Sequence, residues 1–284
     1  MRKSLITTAV LGALAAPSFV FAADAAPAPD LTVAYNIGLY SQYIFRGLTQ
    51  TDRGPALQGG IDLTHSSGFY LGAWASNISW LRDAYPSGAT DYRTGGHTEI
   101  DLYGGYRYTF ANGLGLDVGA LEYVYPGARN TDVIAKAYTT ELYGALSYGW
   151  VQGKISTVVS PGAWGVGNYS GAASGSKGAQ GTYYAELNAT IPVSDLIGAK
   201  DGAASGITGT AHVARQEFNA GSPNDYYSYT DYKLGLQKSF TEGTLNGVNL
   251  GGYWTYANTK DAAWTLAGRN IGDSTGTVFV QKTF

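Results

Sequence analysis

The sequence predicts an all-β fold, a transmembrane antiparallel up-and-down β-barrel of about 12 strands. Three observations predict it: an export signal at the start, apolar and polar residues that alternate with a period of two, and connections that alternate between short and long. Gly, Asp, Arg or Glu interrupts every candidate for the ~20 apolar residues of a membrane-spanning helix. Because lipid tolerates only helices and closed barrels, the remaining choices are a membrane barrel and a soluble all-β protein.

The first residues have the parts of a secretory signal peptide. Arg2 and Lys3 give a positive start, residues 9–16 form a short apolar core, and the small residue Ala22 precedes Ala23. We expect a signal peptide over residues 1–22 and a single barrel domain over residues 23–284. The apolar core is too short to remain as a spanning helix, so the chain is predicted to leave the cytoplasm for the outer membrane of a Gram-negative bacterium.

The composition favours the barrel. The 284 residues include 40 Gly and 23 Tyr, only 14% are charged, and the mean hydropathy is −0.11. A barrel has this balance because the apolar face of each strand nearly cancels the polar one. The net charge of −3 and the lack of a basic patch exclude nucleic acid as a partner. Cysteine is absent, so no disulfide framework is expected, and nothing in the sequence predicts a cofactor or a metal site.

The clearest strand covers residues 98–110. Ile100 and Leu102 share one parity, whereas Glu99 and Asp101 share the other. A helix would place its charges at spacings of three and four instead of two. The same alternation predicts eleven further strands, near 31–45, 57–63, 69–79, 114–125, 138–148, 151–159, 183–191, 207–218, 231–237, 248–256 and 276–284.

The connections between these runs alternate in length. Short ones fall at 65–68, at 111–113 and near 149–150, and long ones at 80–96, 127–135, 160–180, 219–226 and 259–275. Outer-membrane barrels have short turns on the periplasmic side and long loops outside. The connection 193–206 departs from the rule because it is longer than a periplasmic turn. An even number of strands places both termini in the periplasm.

Aromatic residues gather near predicted strand ends, where a membrane barrel carries its girdles. The predicted girdle residues are Tyr106, Tyr108, Phe110, Tyr123, Tyr125, Tyr148, Trp150, Trp254 and Tyr256. The alternative is a stacking platform for sugars or bases, for which Trp74, Trp80 and Trp164 are the best candidates.

The last residues, 278–284, form a β-rich run that ends in Phe284. This run resembles the C-terminal strand signal that the barrel-assembly machinery of Gram-negative bacteria reads. Lys282 departs from that signal because it shares the parity of Val278, Val280 and Phe284. The predicted partners are this machinery, outer-membrane lipid and lipopolysaccharide.

Several segments resemble the TorF family of outer-membrane porins. They are residues 41–51 (SQYIFRGLTQT), 58–62, 68–77, 99–106, 125–127 and 140–143. The resemblance covers about 31–150 and implies a barrel in the outer membrane. The substrates of the family are poorly known, so the resemblance implies fold and location more than solute.

The polar parity is expected to face the lumen, since an Arg or Lys facing lipid at the midplane costs about 2–4 kcal/mol. The predicted pore-lining residues are Arg46, Asp62, Glu99, Asp101, Arg107, Asp117, Glu141, Lys154, Glu186, Asp231 and Lys233. Carboxylates outnumber bases, which predicts a pore for small hydrophilic solutes or ions with a weak cation preference. Alternatively, the four bases pair with the carboxylates and plug the interior.

Two other functions are open. A lipid-modifying enzyme needs a nucleophile and a base, but only His65, His97 and His212 are available and no Gly-x-Ser-x-Gly motif occurs. We therefore predict that the chain is not an enzyme. A structural or adhesion barrel would act through its long loops at 80–96, 160–180 and 259–275.

Overall fold

The computed structural model describes residues 30–84, 96–127, 137–167, 178–199, 201–219 and 226–284. Its strands close into an antiparallel barrel of 12 strands, which confirms the predicted fold class and strand number. The strands are β1 Leu31–Tyr40, β2 Ala56–His65, β3 Phe69–Asn77, β4 Thr98–Thr109, β5 Gly115–Val124, β6 Thr139–Tyr148, β7 Val151–Val158, β8 Tyr183–Ile191, β9 Ile207–Glu217, β10 Tyr229–Ser239, β11 Val248–Ala257 and β12 Thr275–Thr283. Residues 1–22 lie outside the described residues, so the signal peptide and its cleavage stay a prediction.

Each strand pairs with its neighbours in the chain, and β1 closes the barrel on β12. That pairing runs from Asn36 opposite Thr283 to Tyr40 opposite Phe279. The terminal residue extends it, because the backbone N–H of Phe284 donates to the carbonyl of Tyr35 at 2.9 Å. The last residues of the chain are therefore needed to complete the closure.

The two ends of the barrel differ in their connections. One end, here the turn end, carries the connections at 66–68, 110–114, 149–150, 192–206 and 240–247. The other, the loop end, carries those at 41–55, 78–97, 125–138, 159–182, 218–228 and 258–274. The predicted alternation of short and long connections holds except at 192–206, which is longer than the loop-end connections 125–138 and 218–228.

The long connection at the turn end is tied down by its own hydrogen bonds. It contains a short helix, Val193–Leu196. The hydroxyl of Ser194 accepts from the backbone N–H of Ile207 at 2.6 Å and donates to the carbonyl of Ala204 at 2.6 Å. These bonds join the start and the end of the connection, so its length does not separate β8 from β9. A 3₁₀ turn, Gly243–Leu245, lies in the connection 240–247.

The outer wall of the barrel is apolar. On each strand one parity carries large exposed apolar side chains, such as Leu142, Leu187, Leu234 and Val278, while the other parity points inward. These exposed residues surround the barrel, and a soluble monomer rarely exposes so large an apolar surface. Among the described residues, no helix is long and apolar enough to cross a membrane.

The predicted girdle is right for some rings and wrong for others. Tyr108, Tyr148 and Trp150 are exposed at the turn end, and Trp254 is exposed near the loop end. Tyr123 and Tyr125 are not girdle residues. They lie on the inward parity of β5 and its extension and are only 0% and 1% exposed, because they pack in the barrel interior.

Lys282 has an outward parity but lies at the turn end. Its ammonium group donates to the carbonyl of Asn246 and lies 5.6 Å from the ring centroid of Phe284. The long stem of a lysine lets its charge reach polar groups beyond an apolar surface. The departure from the C-terminal signal therefore places no charge in the middle of the apolar wall.

We expect the substitution Leu187→Arg to impair barrel insertion. Leu187 is central on β8 and 52% exposed on the outer wall, where an arginine at the bilayer midplane costs about 2–4 kcal/mol. The free energy of unfolding from lipid vesicles, measured in urea, reports the loss. The matched control is Thr190→Arg, on the inward parity of the same strand near the turn end. An equal loss in both variants would contradict an outer wall that faces lipid.

Three small hairpins lie in the loop-end connections. They pair Ile44–Phe45 with Leu48–Thr49, Gly162–Ala163 with Val166–Gly167, and Thr265–Leu266 with Arg269–Asn270. Each turns through two residues of positive φ, as two-residue hairpins of type I′ require: Arg46 and Gly47, Trp164 and Gly165, Ala267 and Gly268. The loop end also carries the short helices Trp80–Asp83 and Asp261–Trp264.

Candidate functional site in the barrel interior

The first hairpin, which we call the inner hairpin (Ile44–Thr49), lies inside the barrel. Every residue from 42 to 51 is buried. Its apolar side chains pack against rings of the wall, because Phe45 contacts Tyr123 with ring centroids 5.5 Å apart. Leu48 belongs to an apolar cluster with Val158 and Phe218. This connection therefore narrows the interior toward the loop end.

Arg46 is at the tip of the inner hairpin, and its guanidinium is enclosed. Nη2 donates to Oε2 of Glu141 at 2.7 Å, and Nη1 donates to Oε1 of Glu141 at 3.0 Å and to Oε1 of Gln216 at 2.9 Å. The guanidinium carbon lies 4.2, 4.9 and 5.1 Å from the ring centroids of Tyr184, Phe45 and Trp164. We call these five residues the Arg46 cage.

Most of the cage belongs to the wall and has its own supports. Glu141 also accepts from the hydroxyl of Tyr123 at 3.1 Å, and the amide of Gln216 donates to the carbonyl of Tyr183 at 3.0 Å. The backbone N–H of Trp164 donates to the hydroxyl of Thr139 at 2.8 Å. The carboxylate, the amide and this ring are thus oriented by groups other than Arg46.

Electrostatics keeps Arg46 charged. Burial by itself lowers the pKa of an arginine, but the interactions with Glu141, Tyr123 and Tyr184 together outweigh the burial and raise the pKa of Arg46 above its ordinary value. The rings add cation–π attraction, which is largest where water is excluded. The cage is therefore a site in which a guanidinium ion is bound by a carboxylate, an amide oxygen and aromatic faces.

Further carboxylates surround the inner hairpin. Glu99 accepts from the hydroxyl of Tyr43 at 2.5 Å, and burial raises the pKa of Tyr43 well above its ordinary value, so the hydroxyl remains a donor. Asp101 is 5% exposed, and Oδ1 of its carboxylate has no hydrogen-bond partner among the described residues. Asp101 lies close enough to interact electrostatically with Glu99, Glu141 and Arg46.

A second polar cluster lies on β7 to β11. The ring of His212 lies between Asn188, at 2.6 Å from Nδ1, and Asp231, at 3.0 Å from Nε2. The hydroxyl of Tyr184 donates to Asp231 at 2.9 Å, which joins this cluster to the cage. In the same region Lys154 lies 4.0 Å from Glu186, and Lys233 lies 4.1 Å from the ring centroid of Tyr253.

A third cluster lies nearer the turn end, on β2 to β6. Nε of Arg107 donates to Asp117 at 3.2 Å, and its guanidinium carbon lies 3.6 Å from the ring centroid of Tyr70. The hydroxyl of Tyr70 donates to Asp117 at 2.6 Å. Asp62 accepts from the hydroxyl of Tyr103 at 2.7 Å. The interior is therefore lined with charges of both signs along its height.

A family model described as "Bacterial protein of unknown function (Gcw_chp)" matches residues 24–284. The chain belongs to this family. The resemblance of this Gcw_chp chain to the TorF family stays a prediction. No curated protein matches its sequence.

Solved structures of similar fold include the KdgM porin, with 9% sequence identity and a TM-score of 0.44, where the match covers 88% of the Gcw_chp chain and 99% of that chain. The KdgM porin in complex with disordered oligogalacturonate has 8% identity, a TM-score of 0.43 and coverages of 89% and 98%. OccAB1 of Acinetobacter baumannii has 12% identity, a TM-score of 0.43 and coverages of 92% and 66%.

Ten of the predicted pore-lining residues lie on barrel strands of this Gcw_chp chain, and their contacts are those described above. The eleventh, Arg46, was expected on the polar parity of a first strand that ran to residue 45. This expectation is wrong, because β1 ends at Tyr40 and the chain then turns into the barrel, where the inner hairpin carries Arg46.

Sequence reasoning missed most of the cage. Tyr184, Gln216 and Trp164 come from two strands and a loop that are far apart in the sequence. One local signal was present, because Arg46-Gly47 lies between two short apolar runs, as in a two-residue hairpin. The three tryptophans that were considered as a stacking platform for sugars or bases are engaged in packing. Trp74, Trp80 and Trp164 pack against the interior apolar clusters.

The structure also bears on the predicted pairing of the four bases, on the histidines and on metal binding. Three of the four bases pair with carboxylates: Arg46 with Glu141, Arg107 with Asp117, and Lys154 with Glu186. Among the described histidines, the ring of His65 contacts the hydroxyl of Ser67 at 2.7 Å in a turn, and His212 contacts Asn188, Asp231 and Tyr184. The described ranges contain no group of three or more residues that could hold a metal ion.

Proposed function

We propose that the protein is a channel of the Gram-negative outer membrane for passive diffusion of small hydrophilic solutes or ions. The observation that carries the proposal is the contrast between the two faces of one closed sheet. The outer wall is apolar around the barrel, whereas the inner wall carries charged and hydrogen-bonding side chains. A membrane channel requires this distribution, because lipid contacts one face and solute the other.

The inner hairpin forms the constriction of this channel. Residues 42–51 of its connection are all buried inside the barrel. The described residues of the other loop-end connections contain no buried run of this length. Of the eleven predicted pore-lining residues, seven are carboxylates and four are bases. Since acidic side chains favour cations in a pore, the channel has a weak cation preference.

The location has further consequences. Both termini are periplasmic, because β1 begins and β12 ends at the turn end and barrels of this class have their short turns on that side. The apolar wall contacts outer-membrane lipid and lipopolysaccharide. The terminal strand ending in Phe284 is the segment recognised by the barrel-assembly machinery.

A second candidate is a plugged barrel that acts structurally or in adhesion through its loops. The packing of Phe45 and Leu48 in the interior favours it. The two candidates predict different currents, because a plug conducts no ions whereas a constriction does.

We expect refolded residues 23–284 to produce discrete conductance steps in a planar lipid bilayer. Under a salt gradient the reversal potential should indicate a cation preference, and Asp101→Asn should reduce this preference because Asp101 lies beside the constriction. Asp62→Asn, nearer the turn end, is the matched control and should change it less. A correctly folded barrel without steps would favour the plugged candidate, and an anion preference would contradict the charge argument.

A further inference from the structure

We infer that the Arg46 cage is a binding site for small organic cations bearing a guanidinium or primary ammonium group, and that the inner hairpin occupies this site with its own arginine. The inference rests on the proposed function, since it assigns a solute class to the same interior. Its basis is the composition of the cage, in which a carboxylate, an amide oxygen and aromatic faces surround a guanidinium ion.

The cage contacts the guanidinium through a carboxylate, an amide oxygen and aromatic faces. The carboxylate of Glu141 binds the guanidinium of Arg46 through two parallel hydrogen bonds, at 2.7 and 3.0 Å, the arrangement that makes such pairs selective for a fork of N–H donors. Gln216 adds a third acceptor at 2.9 Å. The face of Tyr184 lies 4.2 Å from the guanidinium carbon, as in cation–π recognition of ligand cations.

Most of the binding groups belong to the barrel strands and would remain in place without Arg46. Glu141, Tyr184 and Gln216 lie on β6, β8 and β9, and only Phe45 belongs to the inner hairpin. Glu141 is 1% exposed and Gln216 is 1% exposed. Without Arg46, the carboxylate would remain with Tyr123 as a hydrogen-bond donor and with no positive charge from the hairpin. A buried carboxylate without a counter-charge attracts a cation.

The surrounding charges also favour a cation. Asp101 is near Arg46, and Oδ1 of its carboxylate lacks a hydrogen-bond partner among the described residues. Asp231 packs directly against the turn at Gly47. The two residues are so close that a Cβ atom added to Gly47 would lie 2.5 Å from the Cβ of Asp231. A solute cation that replaced Arg46 would therefore lie near carboxyl oxygens besides those of Glu141.

The turn of the inner hairpin holds Arg46 in an unfavourable backbone conformation. Its φ is 47°, in the left-handed region that non-glycine residues rarely adopt. Trp164 and Ala267 adopt the same conformation at the matching position of the other two hairpins, so the two-residue turn sets it and the cage does not. The turn places the arginine side chain at the tip of the hairpin, and a free cation needs to replace only the contacts of that side chain.

The experiment uses the full mature chain with Arg46→Ala, which empties the cage, and guanidinium chloride as the probe. Guanidinium is added far below denaturing concentrations, with sodium chloride at the same ionic strength as the reference. We expect it to interrupt the current of the variant reversibly and to shift its urea midpoint upward. Methylammonium should act in the same way, because an ammonium group can contact the same carboxylate and rings.

Removing the carboxylate tests the site. In the double variant Arg46→Ala/Glu141→Gln, guanidinium should bind about tenfold more weakly or worse, as expected when a hydrogen bond to a charged group is lost. Arg53→Ala removes the other arginine of the same connection, whose nearest carboxylate, Asp273, is 4.0 Å away and exposed. This control should gain no stabilisation from guanidinium.

The two readouts separate this inference from the proposed function. Stabilisation by guanidinium without any conductance step would keep the cation site and overturn the channel. Heat modifiability shows whether the Arg46→Ala barrel is folded. If the folded barrel conducts ions but guanidinium neither blocks its current nor stabilises it, the cation site alone is overturned. Equal effects in the single and the double variant would also overturn it, because they would not depend on Glu141.

Discussion

Replacing residues 44–49 of the inner hairpin by Asn-Gly is expected to raise the single-channel conductance several-fold. The replacement is geometrically simple, since the backbone N–H of Gln50 already donates to the carbonyl of Tyr43 at 2.8 Å. A two-residue turn can therefore join these two residues. The shortened chain no longer places Phe45, Arg46 and Leu48 in the interior, so the cross-section available to ions increases. Conductance in a planar bilayer measures the change.

The third hairpin is the matched control for this replacement. It also has two strand residues on each side of a two-residue turn, and the N–H of Ile271 donates to the carbonyl of Trp264 at 3.0 Å. Replacing residues 265–270 by Asn-Gly removes a segment whose residues are exposed or half-buried. Its conductance should stay close to that of the parent chain. Equal increases in both variants, or none in the first, would contradict a constriction formed by the inner hairpin.

Glu141→Ala should lower the free energy of unfolding by about 3–5 kcal/mol, the loss typical of breaking a buried ion pair by removing one partner. The side chains of Arg46 and Glu141 are 4% and 1% exposed. The substitution leaves the guanidinium in the interior with Gln216 as its remaining hydrogen-bond acceptor. Equilibrium unfolding in urea, from detergent or lipid vesicles, measures the loss.

A second ion pair with similar geometry provides the control. Nη2 of Arg215 lies 2.8 Å from Glu217, but these side chains are 44% and 33% exposed on the outer wall. Because exposed pairs contribute about 0–1 kcal/mol, Glu217→Ala should have a small effect. The double variant Arg46→Leu/Glu141→Leu should recover most of the stability lost in Glu141→Ala, since it leaves no unpaired charge. Similar losses for Glu141→Ala and Glu217→Ala would contradict the role assigned to burial.

The period-two pattern predicted the barrel because it is local. The two faces of β4 differ in polarity, since one carries Ile100 and Leu102 and the other carries Glu99 and Asp101. This difference specifies which face contacts lipid and does not depend on the rest of the chain. All twelve predicted runs are strands, and the short turns lie where Gly and Asn predicted them. For the same reason the inward parity of ten charged residues could be predicted.

The interior contacts could not be predicted in this way, since they join residues on distant strands. Arg46 meets Glu141 and Gln216, which lie 95 and 170 positions later in the chain. Tyr123 and Tyr125 were assigned to a girdle because of their place near a strand end. Tyr123 is buried against Phe45 of the inner hairpin, and Tyr125 is buried against Trp80 in the same apolar cluster.

The sequence by itself therefore determined the strands, the turns and the two faces of the sheet, because alternation and turn chemistry act between near neighbours. The tertiary structure alone decided that the connection after β1 folds into the barrel and that Arg46 is enclosed there. The physical reason is that an apolar turn such as Phe45-Arg46-Gly47-Leu48 is compatible with an outer loop or an inner one. Only the carboxylate and rings of the opposite wall make the inner position favourable.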